Sequence, residues 1–78
     1  TLEERDAINA RSHILRFADE LYNDQRHSKD YFQQILQDID TYEQYCEAHP
    51  SFKNNMTVLA NSRIKETYHR LDEEHKFL

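Results

Sequence analysis

Apolar residues recur along this chain at spacings of three and four in three stretches separated by polar breaks, the periodicity of amphipathic helices rather than strands. From Leu2 to about Gln25, the residues Ala7, Ile8, Ala10, Ile14, Leu15, Phe17, Ala18, Leu21 and Tyr22 cover about half of a helix circumference at 100° per residue. A stripe that wide can face two neighbours. Thr1 with Glu4 fits a capping box at its start. From about 29 to 48, Phe32, Ile35, Ile39, Tyr42 and Cys46 form a narrower, coiled-coil-like seam. Ser28 is placed to cap that helix, and Asp30 lies in its first turn, where the helix dipole favours an anion. Pro50 disfavours helical geometry at His49, so the helix should stop near Ala48 and the chain should turn through His49 to Asn55. A third helix is expected to start from Ser51 or Asn54. Its stripe is Met56, Ala60, Ile64, Thr67, Leu71 and Leu78, flanked by Tyr68 and His75, with Glu66–Arg70 and Asp72–Lys76 as favourable pairs four apart.

Short connections between three such helices predict an all-α, up-down-up three-helix bundle, with helices at about 2–25, 29–48 and 52–76 in one domain over 1–78. Composition sharpens this. There is no glycine and only one proline, whereas ordinary usage is roughly 7% Gly. Hairpin turns and β-bulges lose their usual residue, and the glycine-dependent dinucleotide, phosphate-loop and nucleophile-elbow motifs are excluded. A chain of 78 residues buries only about 60% of its unfolded surface, so dimerisation through helical seams, giving a homo-oligomer, is expected. The first residue is Thr rather than Met, which is compatible with a fragment of a longer chain. No apolar run approaches the roughly 20 residues of a membrane span and none resembles a secretory leader, so no membrane association and a cytoplasmic location are expected. The lone Cys46 fits a reducing compartment and reads as a small buried hydrophobe.

Charge changes the picture more. Between Lys29 and Lys53 there is no Lys or Arg, while Asp30, Asp38, Asp40, Glu43 and Glu47 fall in that interval. The other ten acids balance the ten bases, so the net charge of −5 equals that of the stretch between Lys29 and Lys53, most of it on the second helix. Asp40, Glu43 and Glu47 share one flank beside Leu36, suited to a protein partner with a basic surface. Tyr31, Leu36, Asp40, Glu43, Tyr45 and Glu47 are the expected partner-binding residues, with the tyrosines as anchors. A solvated helix face is the plainer alternative. Nucleic acid is not expected as a partner, because the ten bases are scattered among acids.

Thiolate and imidazole are the preferred zinc ligands, but Cys46 and His49 near one hairpin cannot meet His75 at the far end of a bundle. No cofactor and no metal are therefore expected. The alternative metal set is Asp24, His27, Glu66 and His69 at the other end, where acid-x-x-His occurs twice. That set has a partial likeness to the carboxylate and histidine ligands of di-iron bundles.

Ser12-His13-Ile14-Leu15-Arg16 is similar to the Ser-His-x-Leu-Arg core of histidine-kinase dimerisation domains; the acid after the His is replaced by Ile14, and the downstream Pro is absent. That resemblance implies His13 as a phosphoacceptor on the solvent face of a helical hairpin. The sequence as a whole favours a small acidic interaction or regulatory module that binds a protein through faces of the second and first helices and is not an enzyme. The alternatives are a metal-binding sensor, a histidine phosphotransfer or dimerisation domain, and an inhibitor or immunity-type protein.

Overall fold

The computed structural model describes residues 2–52 and 57–78, with side chains from Glu4 onward. The chain is an all-α three-helix bundle: α1 (Leu2–Tyr22), α2 (Lys29–Ala48) and α3 (Val58–Glu74). The order is up-down-up: Phe17 toward the end of α1 meets Phe32 at the start of α2 at 4.9 Å, and cross-links set α3 antiparallel to α2. Lys29 at the start of α2 pairs with Asp72 near the end of α3, and Glu43 near the end of α2 meets Asn61 and Lys65 near the start of α3.

The α2 seam folds as its spacing predicts, since Phe32, Ile35, Ile39, Tyr42 and Cys46 are all buried. They pack with Ala7, Ala10, Ile14 and Phe17 of α1 and Ile64 of α3. Each fully buried large side chain among them contributes about 1.5–3 kcal/mol of hydrophobic stabilisation. Ser28 caps α2 as expected, its hydroxyl accepting from the Tyr31 amide at 3.2 Å. His49 closes the same helix, its amide bonding to the carbonyls of Tyr45 and Cys46.

The helix ends differ from the expected boundaries. The first helix stops at Tyr22 rather than about 25 because Asp24 adopts a left-handed conformation, φ 62°. The Gln25 amide then reaches the Glu20 carbonyl at 2.9 Å and the Asp24 amide that of Leu21 at 3.0 Å. This is the Schellman closure, normally built on glycine. The third helix repeats it: His75 is left-handed at φ 54°, the Lys76 amide bonds to the Leu71 carbonyl at 3.0 Å, and α3 ends at Glu74 instead of 76. It also begins later than 52, at Val58. Ser51 lies in a turn closed by the Phe52 amide on the His49 carbonyl, and Phe52 packs edge-on to Tyr42 and Tyr45 instead of entering the helix. Thr57 precedes α3 without a side-chain capping bond. Thr1, Asn54 and Met56 lie outside the described residues.

The left-handed turn at His75 also changes which terminal residue faces the core. Phe77 folds back on Phe32 and Tyr68, with ring centroids 5.4 Å from each, and Leu78 is left 70% exposed, its amide bonded to the His27 carbonyl. The expected helix pair Asp72–Lys76 is absent because Lys76 lies past the helix end; Asp72 binds Lys29 at 3.0 Å and Lys76 lies 3.7 Å from Glu74. No described helix is long and apolar enough to cross a membrane.

Candidate functional site

The acidic flank of α2 stands in solvent. Asp40, Glu43 and Glu47 are all exposed. Asp40 accepts from Gln44 within its own helix, and Glu43 lies 3.5 Å from the Lys65 ammonium. Asp40 and Glu47 have no cationic partner among the described residues. Beside this flank a cleft of about 560 Å³ runs between α2 and α3, lined by Tyr42, Glu43, Cys46 and Glu47 on one side and Thr57, Val58, Asn61, Ser62 and Lys65 on the other. Asn61 is buried at its base and donates to Thr57 Oγ1 at 3.3 Å and Glu43 Oε2 at 3.4 Å. Val58 is 57% exposed and Leu59, next to it in the first turn of α3, is 85% exposed.

The expected anchors are placed unevenly. Tyr31 is exposed at the edge of the Phe17 and His27 rings. Leu36 and Tyr45 instead lean on the core, and Tyr45 is sandwiched between His49, stacked at 4.1 Å, and Phe52 at 5.0 Å. The wide apolar face of α1 is turned inward, leaving Ile8 and Tyr22 as its exposed large apolar groups among the described residues.

Inside the core, burial shapes titration. Tyr42 is fully buried, and burial followed by the neighbouring Cys46 holds its phenol above the ordinary value of 10.0, opposed by a bond to Arg11. Cys46 is free and buried, as its place in the seam predicts. On the surface, the hydrogen bond and charge of Asp72 raise the Lys29 ammonium above 10.5.

At the other end the residues of the alternative metal set part company. His27 is 5% exposed, stacked on Phe17 at 4.4 Å and edge-on to Tyr31 and Phe32. Its Nε2 lies 3.2 Å from Glu20 Oε1. The distance suits an ion pair but the angle does not suit a hydrogen bond, and neither atom has another partner among the described residues. Asp24, Glu66 and His69 are exposed. Among the described residues no group of three or more His, Cys, Asp and Glu is gathered to hold a metal ion. His13 is exposed on α1 as its position predicts, with Nδ1 3.3 Å from Asp38 Oδ2.

Sequence order hid one assembly. A cleft of about 430 Å³ between the α1–α2 connection and α3 is lined by Arg26, Arg63, Arg70 and Lys76 around a floor that includes Leu21 and Leu71. Those four cations are separated by up to 50 positions and interleaved with acids, so only the return of α3 brings them together.

Fold and surface together define, among the described residues, a three-helix bundle with an acid-flanked cleft between α2 and α3 and a basic one between the α1–α2 connection and α3. No family model, curated protein or solved structure matches the chain.

Proposed function

We propose that the chain is a small acidic interaction module that captures a protein partner presenting basic and apolar residues, using the outer flank of α2 and the cleft it shares with α3. The observation that carries this is the adjacency of the Glu43 and Glu47 carboxylates to Val58 across one open cleft. Carboxylates give orientation and a faster encounter with a basic surface, while exposed apolar side chains supply affinity once water is excluded. Because α1 turns its apolar stripe into the core, the contact surface extends from α2 toward α3 rather than toward α1.

The test uses a synthetic amphipathic peptide with Lys and Leu on one helical face, titrated into the full chain and followed by amide chemical shifts. Shifts should centre on Glu43, Glu47, Val58, Leu59 and Ser62. Changing Asp40, Glu43 and Glu47 together to Lys should weaken binding at least tenfold with helicity unchanged. The same charge change at Asp6, Glu66 and Glu73 should weaken it far less. Equal losses in the two triple variants would reduce the α2 flank to a solvated face.

A further inference from the structure

The cleft at the opposite end has the reverse electrostatics. Arg26, Arg63, Arg70 and Lys76 are four of the chain's ten Lys and Arg residues, and Asp24 is the one carboxylate in the lining. For a protein of net charge −5, this is a strong local reversal.

The two α3 arginines define it. Arg63, Thr67 and Arg70 lie at i, i+4 and i+7, on one face of the helix, and all three line the cleft. Arg63 and Arg70 have no carboxylate partner among the described residues; even Glu66, one turn before Arg70, does not pair with it. The other two cations have partners at the surface. Arg26 donates to the Lys76 carbonyl at 3.2 Å, tying the terminal segment to the α1–α2 connection, and the Lys76 ammonium lies 3.7 Å from Glu74. The cleft thus sets Arg26 and Lys76, on the connection and the terminal segment, against the two α3 guanidinium groups. Thr67 stands between these groups and offers a hydroxyl.

We propose that this cleft binds a small phosphate-bearing molecule, with Arg63 and Arg70 gripping the phosphate oxygens, Thr67 donating between them, and Arg26 and Lys76 closing the opposite wall. A guanidinium presents paired N–H donors that match an oxyanion, and the repulsion between unpaired cations is relieved when an anion enters. The volume lies within the range of small-molecule sites. Leu21 and Leu71 give it an apolar floor against which an organic body can rest. A long polyanion is disfavoured, because beyond the cleft the surface is acidic and a nucleic-acid backbone needs an extended basic track.

Isothermal titration of the full chain with inorganic pyrophosphate is the test, with inorganic phosphate and citrate as parallel probes and a short single-stranded oligonucleotide as the polymer control. Pyrophosphate should bind at one site per chain, more tightly than citrate or the oligonucleotide. Arg63→Gln and Arg70→Gln should each weaken it at least tenfold, and Thr67→Val severalfold. Arg5→Gln, the same change of charge on α1, should alter it less than twofold. Asp24→Asn should tighten binding severalfold, a gain that loss of structure cannot mimic. No saturable binding, tighter binding of citrate or the oligonucleotide, or an equal loss in Arg5→Gln would each overturn the assignment.

Discussion

Glu20 Oε1 and His27 Nε2 lie 3.2 Å apart beneath the α1–α2 connection, and neither atom completes a hydrogen bond among the described residues. A buried polar atom in that condition costs about 1–3 kcal/mol, whereas replacing both members by apolar groups of similar shape is often neutral or better. His27→Phe keeps the ring stack on Phe17 but leaves Oε1 of the carboxylate without a partner, its Oε2 still 3.6 Å from Arg16; Glu20→Leu strands the imidazole. Each single change is expected to destabilise, and the double change to recover at least the wild-type value, with a coupling of about 1–3 kcal/mol. Urea denaturation of all four proteins measures it, and strictly additive losses would show that the two groups do not interact.

The left-handed residues that end α1 and α3 are Asp24 and His75, positions where a Cβ costs roughly 1–2 kcal/mol. His75→Gly and Asp24→Gly should therefore each stabilise the protein by about 1 kcal/mol, raising Tm by about 4–8 °C for a domain of this size. Ser62→Gly, within an exposed turn of α3, should cost about 0.5 kcal/mol instead. Thermal unfolding followed by circular dichroism distinguishes the sites. A loss at His75→Gly would contradict the Schellman geometry.

Two groups set the alkaline limit. The raised Tyr42 phenol favours the neutral form in the folded state and the raised Lys29 ammonium the charged form, so the native chain holds protons more firmly than the unfolded one at both. Their stabilisation is complete below the ordinary values of 10.0 and 10.5 and is lost as pH rises through the folded values. Stability measured against pH should hold to about pH 9.5 and then fall, and Tyr42→Phe should flatten the fall more than Lys29→Gln, whose pair with Asp72 is exposed to solvent. A decline in Tyr42→Phe as steep as in the parent would exclude the phenol as its source.

Spacing alone made the α2 seam legible, because five residues recurring at three and four admit one inward face. Ser28 and Pro50 likewise announced the helix ends they control. The ends of α1 and α3 were not legible, since nothing in Asp24 or His75 marks a left-handed residue when glycine, the usual signal, is absent throughout. That ambiguity carried over to Phe77 and Leu78, whose roles exchange once the helix stops at Glu74. The acids of α2 could be read as a surface because they are close in sequence. Arg26, Arg63, Arg70 and Lys76 could not, because their proximity depends on the tertiary path. Glu20–His27 was hidden for the same reason: His27 lies in an irregular connection whose return onto α1 no periodicity describes.

The glycine-free composition, which places strain at two helix ends, also acts on the state from which the protein folds. A chain of this length with average usage would carry about five glycines. Each glycine that is instead a residue with a Cβ narrows the unfolded ensemble, worth about 0.4–1 kcal/mol where the native conformation tolerates it. The two left-handed turns are thus offset across the rest of the backbone. A small bundle with a limited core gains part of its stability by having fewer disordered conformations to leave.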